Sequence, residues 1–168
     1  MSDAARTSRE IDDAPPGAVR LGPGDAAELA RLERSCFSHP WSEEQLAYGL
    51  GTSALRALGL RDAKGELAAY CSFYCVAGEG EIVNIAVIPE QRRKGWGRAL
   101  LAAVLQIAVE MGIHQMFLEV RRSNVAAIGL YASFGFERTG VRPRYYPDTK
   151  EDALVMTLEL ATAHGEKS

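Results

Sequence analysis

Ile85-Ala86-Val87-Ile88-Pro89-Glu90-Gln91-Arg92-Arg93-Lys94-Gly95-Trp96-Gly97-Arg98-Ala99 reads as a strand, a turn and the start of a helix. The β-branched run Ile85 to Ile88 suits a strand and stops at Pro89, which cannot donate to a sheet ladder. A basic turn follows, and two glycines open a segment with helical periodicity. Between Trp96 and Met111, Leu100, Leu101, Val104, Leu105, Ala108 and Met111 fall on one stripe, and Gly112 supplies the stop. The first N–H groups of such a helix lack partners within it, and the helix dipole puts positive potential at the same end. Together they form an anion site. Glycines at 95 and 97 let a pyrophosphate approach the backbone, and Arg92, Arg93, Lys94 and Arg98 add charge. The bland alternative is a strand-to-helix turn with a solvated basic face. Two other phosphate motifs are excluded. A P-loop needs Gly-Lys followed by Ser or Thr, and a dinucleotide fingerprint needs a third glycine where Leu100 stands.

Outward from this stretch the chain alternates strand and helix signals. Upstream, Val19-Arg20-Leu21 is a short strand, and Pro23-Gly24-Asp25 turns into a helix with Leu29, Leu32 and Phe37 among its apolar positions. Ser42, followed three residues on by Gln45, makes a capping box for a second helix. Strands are expected over Leu55 to Arg61, Glu66 to Val76 and Glu81 to Ile88, with turns at Lys64-Gly65 and Glu79-Gly80. Downstream, Gln115 to Arg121 is a strand and Asn124 to Phe134 a helix ending at Gly135. Phe136 to about Tyr145 and Ala153 to Leu160 are two final strands. The fold class is α/β (α+β): a mixed, mostly antiparallel central sheet with helices on both faces.

A chain of 168 residues fits a single domain, expected over residues 18–163, with tails at 1–17 and 164–168. Its 47% hydrophobic and 24% charged residues are those of a globular protein. No apolar run approaches the roughly 20 residues of a membrane span, so no membrane partner is expected. The N-terminus lacks the basic-then-apolar order of a secretion signal, and a cytoplasmic protein is expected. Net charge is -3, which gives no support to nucleic-acid binding. Three cysteines argue against a disulfide framework. Cys71 and Cys75, about 13 Å apart along a strand, share one face as buried hydrophobes. His39, His114 and His164 are scattered without ligand spacing, so no metal is expected.

Arg92-x-x-Gly95-x-Gly97 resembles the acetyl-CoA motif of the Gcn5-related N-acetyltransferases (GNAT), and the element order matches that fold from about residue 19 to 161. The chain is most similar to the bacterial ribosomal-protein-alanine N-acetyltransferases (RimI-like). The likeness rests on Pro40-Trp41-Ser42-Glu43, Asn84-Ile85-Ala86-Val87, Leu118-Glu119-Val120-Arg121, Ser123-Asn124, Leu130-Tyr131, Gly135-Phe136 and Arg144-Tyr145-Tyr146-Pro147. The resemblance implies acetyl-CoA as co-substrate and a protein N-terminal α-amine as acceptor, that of the alanine of small-subunit ribosomal protein eighteen. It also implies roles. Ile85, Ala86 and Val87 offer backbone groups to the pantetheine arm. Arg92, Arg93, Lys94, Gly95, Trp96, Gly97 and Arg98 surround the pyrophosphate, and Asn124 contacts the cofactor. Glu119 is the general base and Tyr131 the general acid.

Elementary chemistry supports the last two independently. An amine arrives largely as an ammonium and must lose a proton before attacking a thioester, and a carboxylate takes it directly or through water. The departing thiolate needs a proton back, and a phenol donates one. Asn124 and Tyr131 are seven apart and share a helix face. The opposing interpretations are an exposed or paired carboxylate at Glu119 and a rim tyrosine at Tyr131. Trp41, Tyr145 and Tyr146 are either substrate walls or fillers of a core edge. Glu43, Glu44, Asp148, Glu151 and Asp152 are expected to attract basic residues of a peptide substrate. Two rivals stay open. One is the same enzyme class acting on lysine or a small-molecule amine. The other is a non-catalytic acyl-CoA-binding module, which needs neither Glu119 nor Tyr131.

Overall fold

Residues 17–161 are described by the computed structural model. The elements, in chain order, are β1 (Val19–Leu21), a 3-10 turn (Pro23–Asp25), α1 (Ala26–Cys36), α2 (Glu43–Leu50), β2 (Leu55–Arg61), β3 (Leu67–Val76) and β4 (Glu79–Val87). A second 3-10 turn (Pro89–Gln91) leads to α3 (Trp96–Glu110), β5 (Gln115–Arg121), α4 (Val125–Ser133), β6 (Glu137–Arg142) and β7 (Ala153–Glu159). Apart from Gly17, the tails expected at 1–17 and 164–168 lie outside the described residues, as does His164.

The strands form one seven-stranded sheet in the order β1-β2-β3-β4-β5-β7-β6. Every neighbouring pair is antiparallel except β4 and β5, which α3 connects as a crossover. Alternate residues feed two cores. Leu21, Ala57, Tyr70 and Ala86 pack with Leu29 and Leu32 of α1 and Leu46 of α2. Leu58, Cys71, Phe73 and Met116 pack with Leu100, Leu101 and Val104 of α3 and Tyr131 of α4. β3 is therefore buried on both faces over most of its length, and its sequence is an apolar run rather than an alternation. Cys71 is buried and Cys75 half-buried against the α3–α4 core, on the shared face expected of them. Among the described residues, no helix is long and apolar enough to cross a membrane.

Two expectations need correction. The β3–β4 turn is Ala77-Gly78, with φ of 51° and 80°, and not Glu79-Gly80. Positive φ at both central residues fits the twist of a two-residue hairpin. Gly80 instead lies within β4, where an added Cβ would collide with the Met116 sulfur. The strand expected over Phe136 to about Tyr145 is shorter. It ends at Arg142, because Pro143 follows and Arg144 adopts a φ of 51°.

The feature that shapes the site is a bulge. Ser72 pairs with Asn84 and Phe73 with Ile82, leaving Val83 as an extra residue in β4. A bulge bends its strand and sharpens the local twist. Parallel pairing of β4 with β5 stops there, at Ile82 and Leu118. Beyond that point β4 continues to Val87 and β5 to Arg121 without pairing to each other, so a gap opens between them.

Candidate active site

The gap leads into a cavity of about 570 Å³ bounded by α1, the α1–α2 loop, β4, β5, α4 and the β6–β7 loop. Ile85, Glu119, Asn124, Tyr131, Trp41, Tyr145 and Tyr146 all line it. The fold thus gathers both expected catalytic residues and all three expected substrate-wall aromatics around one space.

Glu119 projects from β5 with 13% of its side chain exposed, and Arg142 Nε of β6 forms an ion pair with it at 2.6 Å. Tyr131 is 5% exposed in α4, its ring edge-on to Phe136. Burial holds its phenol well above the ordinary range, so it keeps its proton. That suits a donor and does not suit a base. Tyr145 packs edge-to-face on Tyr146 at 5.2 Å, and its phenol is pushed up by its hydrogen bond to Glu119 and by burial.

At the glycine turn, Arg93 and Gly95 take φ of 63° and 82°, and the first helical bond runs from Ala99 N–H to Gly95 O. The preceding N–H groups at the mouth of α3 are unused by the helix. A Cβ added to Gly97 would meet Leu130 and Val87 at 3.5 and 4.0 Å, ordinary contact distances. Internal packing therefore does not demand glycine there. These residues fit an anionic group. The expected set divides by what the side chains do. Arg93 and Lys94 are exposed and make no hydrogen bond among the described residues. Arg92 Nε donates to Val87 O at 2.9 Å, anchoring the turn to β4. Arg98 reaches Ser133 Oγ at 3.1 Å and lies over Phe134. Trp96 is 6% exposed in the core, so only its backbone faces the turn. Asn124 caps α4 by accepting from Ala127 N–H at 3.2 Å. Ile85, Ala86 and Val87 pair with β3 on one side and face the gap on the other.

The expected steering acids are mostly engaged elsewhere. Asp148 takes both Arg121 nitrogens at 3.1 and 3.0 Å, and Glu151 accepts from Ser123 N–H at 2.6 Å. Asp152 pairs with Arg122 at 3.3 Å and with Arg144 N–H at 3.0 Å. Their charges pin the β6–β7 loop. Glu43 and Glu44 remain exposed at the start of α2.

Two further carboxylates that no sequence motif singles out also line the cavity, Glu33 and Glu81. Glu81 sits on β4, where burial and the Glu119 charge raise its carboxyl, with Arg142 opposing. Glu33 had a legible signal: it falls on the Ala26-Leu29-Ala30 stripe of α1, where an apolar residue belongs.

Comparison with known proteins agrees with this geometry. The family model described as "Acetyltransferase (GNAT) family" matches residues 26–136. The [ribosomal protein bS18]-alanine N-acetyltransferase of Escherichia coli (strain K12) is 38% identical over 139 residues, covering 82% of this chain and 93% of that protein. That of Haemophilus ducreyi is 31% identical over 140 residues, covering 81% and 94%. The crystal structure of the ribosomal-protein-S18-alanine N-acetyltransferase from Escherichia coli superposes with a TM-score of 0.82 at 34% identity, covering 90% of this chain and 97% of that one. With its glycine turn, its parted parallel strands and these relatives, the chain belongs to the GNAT family of acetyltransferases.

Proposed function

We propose that the chain transfers an acetyl group from acetyl-CoA to the α-amine of the N-terminal alanine of ribosomal protein bS18, in the cytoplasm. The observation that carries this reading is the placement of Glu119 and Tyr131 around one cavity at the point where β4 and β5 part. The bound co-substrate supplies an acyl thioester. Its pyrophosphate is held by the N–H groups opening α3, by Gly95 and Gly97, and by the free cations of Arg93 and Lys94. Arg92 and Arg98 act on the turn by anchoring it. Asn124 offers the amide nitrogen that its capping bond leaves free.

Glu119 receives the proton of the arriving ammonium, directly or through water, and Arg142 fixes the carboxylate's orientation. Tyr131 gives its proton to the leaving sulfur. Because both reactants are held in one cleft, the amine attacks without a covalent enzyme intermediate. Trp41, Tyr145 and Tyr146 enclose a small first side chain and line the extended backbone behind it.

The test compares kcat/KM for Ala-Arg-, Ser-Arg- and acetyl-blocked Ala-Arg- peptides that contain an internal lysine. The free Ala-Arg- peptide is expected to be the best substrate. Equal turnover of the blocked peptide would make the enzyme a lysine acetyltransferase and remove the substrate assignment.

A further inference from the structure

Glu33 stands three residues before the end of α1 with 1% of its surface exposed. Its carboxylate takes three donors from three other parts of the chain. Tyr70 Oη of β3 donates to Oε1, as does Asn84 Nδ2 of β4 at 3.0 Å. The Trp41 backbone N–H donates to Oε2 at 3.3 Å. Asn84 Nδ2 also lies 3.3 Å from Tyr70 Oη. An amide nitrogen only donates, and the phenol gives its single proton to Glu33. Burial and the Glu33 charge push that phenol far up, which keeps the proton in place. All three partners therefore require an acceptor, a demand that a carboxylate meets at both oxygens and a carboxamide at only one.

None of the ion pairs among the described residues includes Glu33. Burying a carboxylate without a cation costs free energy that its hydrogen bonds only offset, so an acid at this position points to a purpose that an apolar side chain could not serve. The purpose is visible in what the carboxylate connects. Ser38, His39 and Pro40 are exposed, and the chain from Phe37 to Trp41 joins α1 to α2 outside the sheet. Phe37 N–H closes α1 on Glu33 O, and Ser42 opens α2 with its capping box. Between those two caps, the bond from Trp41 N–H to Glu33 is the one the loop backbone donates among the described residues. The opposite oxygen holds Asn84, which neighbours the extra residue Val83 where β4 leaves β5.

We infer that Glu33 is a positioning residue for the acceptor amine: its carboxylate clamps the Trp41 loop to β4 at the bulge and so sets the distance between the entrance wall and the reacting end of the cavity. Glu33 acts through Trp41 and Asn84, and the glycine turn at the mouth of α3 is independent of it. The inference deepens the acceptor-side assignment made above and rests on it.

Glu33→Gln keeps the side-chain volume but turns an NH2 toward a donor. It is expected to raise KM for the Ala-Arg- peptide about tenfold or more, since a hydrogen bond to a charged group is being lost. KM for acetyl-CoA should stay within about twofold, with kcat changing less than peptide KM. Tyr70→Phe removes a donor to Oε1 and leaves the Trp41 bond, so its peptide KM should stay within about twofold. An unchanged peptide KM in Glu33→Gln overturns the clamp, and so does a parallel rise in KM for acetyl-CoA. An equal rise in Tyr70→Phe overturns it too, since that would report general loosening of the core.

Hydrogen exchange of the wild-type Trp41 amide gives a second measurement that needs no variant. The clamp requires that amide to exchange at least about tenfold more slowly than those of Ser38 and His39, and equal rates overturn it. If the wild-type enzyme does not turn over a free-amine peptide, the substrate assignment falls, while this exchange measurement still decides the clamp.

Discussion

Tyr131 and Glu119 face one cavity from opposite supports, a buried helix position and a strand that has lost its parallel neighbour. Burial keeps the Tyr131 phenol protonated beyond its ordinary range near pH 10. As a donor it stays available throughout the neutral and mildly alkaline range. Tyr131→Phe preserves the ring against Phe136 and deletes only the hydroxyl. Steady-state assays should show kcat falling about 10²–10⁴-fold, the usual span for an acid–base group, with acetyl-CoA affinity near wild type. The loss should be the same at every pH between 7 and 9, because a donor that keeps its proton there adds no titration of its own. A variant with the full wild-type rate would show that water or another group protonates the sulfur.

The β6–β7 loop carries Tyr145 and Tyr146 without regular secondary structure of its own. Arg121 holds it from β5: the guanidinium pairs with Asp148 and Glu151 and lies 3.9 Å over the Tyr146 ring. Exposed ion pairs are individually weak, but here they share one planar cation that also covers an aromatic face. Arg121→Ala should loosen the loop while leaving the paired strand intact, since the β5–β7 ladder uses backbone groups. Peptide KM is expected to rise roughly threefold to tenfold, the order of one lost cation–π contact with its supporting charges. Limited proteolysis between residues 143 and 152 should become faster. Unchanged proteolysis together with unchanged peptide KM would mean that the loop is held by its other bonds without Arg121.

For the molecule as a whole, buried phenols bind stability to pH. Tyr70 and Tyr131 are 1% and 5% exposed, and burial raises both above the ordinary phenol range. In the unfolded chain they ionise near pH 10, while in the fold they resist. The unfolded state therefore releases protons first as pH rises. The stability associated with these groups is complete below pH 10 and is lost above it, with a slope of about 1.4 kcal/mol per pH unit for each phenol. Denaturant midpoints between pH 8 and 11 should be flat and then fall. Tyr131→Phe should make the alkaline fall shallower, and an unchanged slope would show that this phenol is not protected by folding.

The local order of elements was written in the sequence because each signal is local. Helix stripes, the Ser42–Gln45 box and the glycine stops are set by neighbours a few residues apart, and the structure bears them out. The sequence places the β3–β4 turn two residues beyond Ala77-Gly78 because Gly80 offers a competing turn signal, and only contact with Met116 across the sheet decides between them. The approach of Glu119, Tyr131, Trp41 and the Tyr145-Tyr146 pair to one cavity could be expected only through resemblance. The physical cause of that approach is the bulge at Val83, which parts β4 from β5. Charge roles were the least legible. A carboxylate has the same letter whether it faces solvent, as Glu43 does, pins a loop, as Asp148 does, or is buried among three donors, as Glu33 is. Sequence determined most of the elements and the glycine turn, since those depend on neighbouring residues. Tertiary structure alone decided which acids remain free, because a charge is committed by partners that come from distant parts of the chain.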